Sequence, residues 1–146
     1  MATSFKTLEK AKLGDEFDWQ LIQKQIKYDK DGLIPAIAQQ YDSKEVLMMA
    51  WMNEKSLLET LKTGRVCYWS RSRQSYWRKG EESGQIQVLK SLAFDCDGDT
   101  ILLQVDQTGP ACHSGRRSCF YAQVESNKIT ITSNPIINPE DLYAKK

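Results

Sequence analysis

The sequence predicts a small, mainly β domain of the α+β class, capped by one helix. Three observations carry that expectation. The chain has 146 residues, the size of one ordinary domain. One helix is clearly punctuated at both ends, and five short apolar runs follow it at regular spacing, where turns rather than further helices separate them.

Residues 4–30 are polar with scattered apolar positions (Leu8, Phe17, Trp19, Leu21, Ile22, Ile26), which predicts one or two short surface helices. In "LIPAIAQQYDSKEVLMMAWMN" two apolar runs flank the turn-forming Asp42-Ser43-Lys44, a hairpin with Met48, Met49 and Trp51 on its second strand. Pro35 suits an edge strand or a strand start, because its ring removes a ladder donor. Asn53 then offers an N-cap, Leu57, Leu58 and Leu61 form an apolar stripe at helical spacing, and Gly64 supplies a stop. The strand candidates that follow are "RVCYWSRS", "QIQVLKSLAF", "TILLQV", "FYAQVE" and "KITITS", the last two joined by Ser126-Asn127. The C-terminal "NPIINPEDLYAKK" holds two prolines and ends in charge, as an ordered tail or arm would.

Twenty basic against nineteen acidic residues leave a formal charge of +1, which argues against a chain built to coat nucleic acid or an anionic membrane. The N-terminal "MATSFKTLEKAK" lacks the apolar core of a signal peptide, and no stretch approaches the ~18 continuous apolar residues of a membrane span. The expected location is therefore the cytoplasm. In that reducing setting four cysteines read as free thiols or metal ligands before disulfides.

Three stretches hold the chemistry. "FDCDGDT" alternates Asp95, Asp97 and Asp99 with Cys96 and Gly98. An EF-hand loop is excluded, since its sixth position here is Thr100 and its twelfth Asp106. If the backbone is extended, the three carboxylates share one face and Cys96 takes the other, so hard oxygens suit magnesium and the soft thiolate suits zinc. The same residues also suit a solvated turn. "PACHSGRRSCF" holds Cys112, His113 and Cys119. With Cys96 these make three thiolates, the protein-ligand count of a catalytic zinc site, but Cys112 and Cys119 also fit a redox pair or buried packing groups. Cys67, set among aromatics, reads as a packing residue. His113 is placed to move protons near neutral pH without binding the metal. Zinc nucleobase deaminases are excluded as close matches, because no C-x-x-C follows and no glutamate stands two residues after His113. "WSRSRQSYWRKGEESG" sets Arg71, Arg73, Arg78 and Lys79 among Trp69, Tyr76 and Trp77, guanidinium forks and aromatic faces suited to phosphates and bases. The near-neutral total favours a small ligand over a polymer.

Taken in order, "EVLMMAWMN", "TGRVCYWSRSR", "WRKGEESG", "DCDGD" and "GPACHSGRRSCF" resemble the phosphoribosyl-AMP cyclohydrolases of histidine biosynthesis, from about residue 33 to 120. The resemblance implies hydrolytic opening of the adenine ring of 1-(5-phosphoribosyl)-AMP at N1–C6. It implies a β-rich pseudo-barrel in an intertwined homodimer, with magnesium on Asp95, Asp97 and Asp99. It also implies zinc on Cys112 and Cys119 together with Cys96 from the second subunit, and His113 as the catalytic proton carrier. Arg71, Arg73, Lys79, Arg116 and Arg117 form the pool of phosphate ligands. The expected organisation is an N-terminal extension over 1–30, a cyclohydrolase domain over 31–125 and a C-terminal strand and tail over 126–146. Two residues depart from the family pattern: Glu82 in "GEESG", where "GETSG" is common, and Cys67, where many members have histidine. The competing expectation is a non-enzymatic zinc module that binds RNA or nucleotides through the Arg and Trp hairpin.

Overall fold

A computed structural model describes residues 3–142; the charged end of the expected C-terminal tail lies outside them. Two short helices come first, α1 (Phe5–Leu8) and α2 (Trp19–Gln23). Each is capped by a side chain: the Ser4 hydroxyl accepts from the Thr7 amide, and the Asp18 carboxylate from the Gln20 amide. Helices of four and five residues do not persist unaided in water. These are held because Phe5 and Ile22, with Ile26 just beyond, are buried in the same core as the strands. The Phe5 ring lies 5.5 Å from Phe94, against which Trp19 also stacks. The N-terminal segment is thus more than a surface covering.

β1 (Ile34–Gln40) and β2 (Val46–Met52) form the expected hairpin, with Lys44 in the left-handed region at φ 66°. The capping helix α3 (Glu54–Thr63) follows. The Asn53 side chain accepts from the Ser56 amide, the Ser56 hydroxyl accepts from the Asn53 amide, and Gly64 ends the helix at φ 76°. Its buried face differs from the expected leucine stripe: Leu57 is buried with Ser56 and Thr60, while Leu61 is 40 % exposed. Thr60 sets that rotation, donating to the Ser56 carbonyl and accepting from the Cys67 amide at 2.9 Å.

β3 (Cys67–Ser70), β4 (Ser75–Arg78), β5 (Gln87–Phe94) and β6 (Ile101–Gln107) complete a six-stranded sheet in the order β4-β3-β2-β1-β6-β5. Every neighbouring pair is antiparallel except β1 with β6, which runs parallel. β1 is therefore a central strand, and of the two places expected for Pro35 the strand start holds rather than the edge. The ring is tolerated because the β6 ladder begins one residue later, at Ala36 opposite Ile101. Burial alternates along both strands, placing Ile34, Ala36 and Ala38 with Ile101, Leu103 and Val105 in the core. The sheet curls until β5 reaches the segment that leads into β3. There Val88 stands opposite Arg65, the Val66 amide donates to the Gln87 carbonyl at 3.1 Å, and the Leu89 amide to the Gly64 carbonyl at 2.8 Å. The result is a half-barrel with α3 beside it.

β7 (Ala122–Glu125) and β8 (Lys128–Ile131) form a separate exposed hairpin through Ser126 and Asn127, both at positive φ, the turn geometry that matches strand twist. Beyond it the chain returns across the 111–119 loop to a 3-10 turn at Pro139–Asp141, and Leu142 is buried.

Candidate active site

The loop that follows β6 is pinched shut by its own backbone. The Ala111 amide donates to Arg117, the Cys112 amide to Arg116, and the Gly115 amide to Cys112, at 3.0 to 3.1 Å. Gly115 has φ +86°, and a Cβ there would collide with the carbonyl of Ile137, so the tail crosses directly over a residue that only glycine fits. On the return the Ser118 hydroxyl donates to the Val46 carbonyl and the Cys119 amide to the Leu47 carbonyl, both at 2.7 Å. This is possible because β2 registers with β3 only at Trp51 and Trp69.

Arg117 holds the loop from beneath. Its guanidinium donates to the carbonyls of Gln107 and Gly109 and to Gln40 Oε1, at 2.7 to 2.9 Å. Gln40 Oε1 also accepts from the Gln107 amide, Gln107 Oε1 from Gln87, and Gln87 Oε1 from the Tyr68 hydroxyl. A buried polar chain thus connects the core to the cysteine loop.

Cys112 is buried. Burial alone would raise its pKa, but Ser114, whose hydroxyl and amide lie 3.1 and 3.5 Å from Sγ, and neighbouring Cys119 outweigh it and hold the thiol below its ordinary value. Cys119 goes the other way: the residue is exposed, yet partial desolvation of its thiol first and Cys112 second push it up to about 12. Two thiols that perturb each other in this way are a donor pair suited to a soft cation, which would hold both as thiolates. Ser114 was not among the candidates from the sequence. Its signal is local, a hydroxyl two residues beyond a cysteine and just before glycine.

His113 projects from the same loop into a cavity of about 540 Å³, shared with Arg73, Tyr76, Trp77, Lys79 and Ser83. Glu82 also lines it, so this departure from the family pattern falls at the cavity wall. Arg73 is exposed at its rim, whereas Lys79 is buried and donates to the Ala111 carbonyl at 2.8 Å. Arg71 stands elsewhere, 4.4 Å over the Trp51 ring and beside a second cavity with Trp69 and Gln74. Arg116 donates to the Ser133 carbonyl at 2.8 Å and lies 4.0 Å over Tyr121. Cys67 is fully buried, and burial first, then Glu59, push its thiol up to about 12, so it remains a protonated packing group.

The aspartate stretch is a turn rather than extended backbone, which corrects the alternating-face argument. The Gly98 amide donates to the Asp95 carbonyl, the Asp99 amide to Asp95 Oδ1, and the Asp95 amide to the Thr100 carbonyl. Asp95, Cys96, Asp97 and Asp99 are all exposed. Burial pushes Asp95 up, but the combined hydrogen bonds from Asp99, Gly98 and Asp97 outweigh it and hold the carboxyl below its ordinary value. Asp99 is raised by sharing with Asp95. Two carboxylates forced apart in this way are a hard donor set that a dication relieves. Cys96 lies in that turn, two residues beyond the end of β5, and lines an apolar groove with Phe5, Leu8 and Trp19. Among the described residues no three His, Cys, Asp or Glu side chains converge into a metal-holding group.

A model of the family "Phosphoribosyl-AMP cyclohydrolase" matches residues 48–121. The chain is 73 % identical over 142 residues to the phosphoribosyl-AMP cyclohydrolase of Hydrogenovibrio crunogenus, covering 97 % of each chain. To the proteins of the same name from Halorhodospira halophila and Chromohalobacter salexigens it is 58 % identical over 135 residues and 55 % identical over 146. Those matches cover 92 % and 100 % of this chain and 95 % and 100 % of the relatives. A half-barrel whose cavity is lined by a histidine and an arginine, with a thiol pair on the histidine's own loop, is the framework of a small-molecule enzyme. The chain belongs to the phosphoribosyl-AMP cyclohydrolase family.

Proposed function

We propose that the chain adds water to C6 of 1-(5-phosphoribosyl)-AMP and breaks the N1–C6 bond, a step of histidine biosynthesis. The water oxygen stays on the new carboxamide, N1 leaves as the nitrogen of the formimino link, and no ammonia is released. The observation that carries this reading is the meeting of Cys112, His113 and Cys119 on one pinched loop, from which His113 reaches the cavity that Arg73 and Trp77 also line.

Cys112 and Cys119 hold two corners of a zinc site, and Cys96 of a second copy supplies the third thiolate of a homodimer. The mutual perturbation of the first two thiols fits such a role. Asp95, Asp97 and Asp99 hold magnesium. Zinc, when bound, supplies a Lewis acid that makes water nucleophilic near neutral pH. The chain's own residues do the rest. His113 carries protons between water and the ring nitrogen. Trp77 offers a face to the base, and Arg73 offers a fork to a phosphate. Arg71 and Arg116 serve the second phosphate only where their present stacking contacts open.

No helix among the described residues is long and apolar enough to cross a membrane, consistent with a cytoplasmic enzyme. The test is spectrophotometric. Purified protein with zinc and magnesium is mixed with phosphoribosyl-AMP, and the adenine absorbance should give way to that of the imidazole carboxamide. An unchanged spectrum beside salt-dependent oligonucleotide binding would support the RNA-binding module instead.

A further inference from the structure

Among the described residues Lys79 is the only lysine or arginine that is buried, at 9 % exposure. Its Nζ donates to the Ala111 carbonyl at 2.8 Å, and its amide donates to Val66 at 3.0 Å. The next residue locks it in place. Gly80 has φ +83°, and a Cβ there would stand 2.5 Å from the backbone of Gln85 and Ile86, so the chain turns hard after Lys79.

No carboxylate answers this ammonium. The ion pairs among the described residues are Arg78 with Glu59 and Arg117 with Glu45. Burial lowers the pKa of Lys79, and the charges that push it back up are Cys119 and Cys112. A buried cation needs an anion close by. Three thiolates around a dipositive ion leave one net negative charge, which needs a cation for the same reason. Each is the other's missing partner.

We propose that Lys79 is the charge partner of the thiolate centre: a positioning residue that neutralises the loaded site and fixes the Cys112 end of its loop through Ala111. This assignment rests on the zinc reading above. It takes Lys79 out of the phosphate pool, since its buried head already donates to the Ala111 carbonyl while Arg73 is exposed on the same cavity.

The test titrates zinc into metal-free full-length protein against a chromophoric chelator, for wild type, Lys79→Met and Lys79→Arg. Cobalt(II) substitution reports thiolate ligation, and KM for phosphoribosyl-AMP is measured alongside. Lys79→Met should keep the thiolate-to-cobalt band but bind zinc at least ~10-fold more weakly. Lys79→Arg, which keeps the charge, should recover most of that loss. If Lys79→Met does not fold by circular dichroism, Lys79→Gln takes its place with the same expectation. Zinc affinity within about twofold of wild type, with KM raised instead, overturns the assignment and returns Lys79 to the phosphates. A wild-type chain that binds no zinc overturns the metal reading itself, and this assignment with it.

Discussion

Replacing Arg117 by methionine probes the connection between core and site most severely. The side chain is 28 % exposed and makes three short hydrogen bonds, to the carbonyls of Gln107 and Gly109 and to Gln40 Oε1. Bonds to a charged group contribute roughly 1.5–3 kcal/mol each, and methionine withdraws the donor from all three acceptors, leaving Gln40 Oε1 only the Gln107 amide. Water reaching the exposed flank recovers part of that loss, so the expected destabilisation is about 3–4 kcal/mol. The contact with Glu45, at 3.9 Å and half exposed, adds little. For a chain of this size that corresponds to a melting temperature lower by roughly 10 °C. The assay is urea unfolding followed by tryptophan fluorescence at fixed protein concentration, because association shifts apparent stability. A loss below about 1 kcal/mol would show that the guanidinium is a surface decoration and refute the account of the strut.

Asn53→Ala removes the cap of α3 and should cost about 1 kcal/mol, read from a thermal melt, with activity preserved. The Cys67 thiol has its pKa raised from 9.0 to about 12, so the folded chain holds that proton more tightly than the unfolded chain. Its contribution is complete below pH 9.0 and is lost as pH rises towards 12. Urea midpoints of Cys67→Ala should therefore fall less steeply than wild type over that window, and parallel curves would contradict the cause given. His113→Ala should keep its zinc stoichiometry, measured by metal analysis, but lose at least ~100-fold in turnover; near-normal turnover removes His113 from the mechanism.

What was legible in the sequence was local. Asn53, Ser56 and Gly64 announce α3, Asp42-Ser43-Lys44 and Ser126-Asn127 announce two hairpins, and the near-neutral charge points to a small ligand. The resemblance of five ordered stretches reached the family. What stayed hidden depends on distant partners. β1 became central because β6, some sixty residues later, lies parallel to it, and no local pattern marks a parallel pairing. Period-two spacing of Asp95, Asp97 and Asp99 suggested a strand, but Gly98 at positive φ bends the segment into a turn. Lys79 and Arg117 looked alike as phosphate ligands. In the fold their heads donate to Ala111, Gln107 and Gly109, partners that only the folded chain brings near.

On the proposed reading each chain carries half a site: Cys112 and Cys119 share one loop, and the exposed Cys96, two residues beyond β5, serves a second copy. Cys96→Ala and Cys112→Ala, each inactive alone, should be mixed after verified subunit exchange. Random pairing restores one intact site in the mixed dimers only, so about a quarter of wild-type turnover should return. No recovery in dimers shown to be mixed would contradict a zinc site shared between subunits.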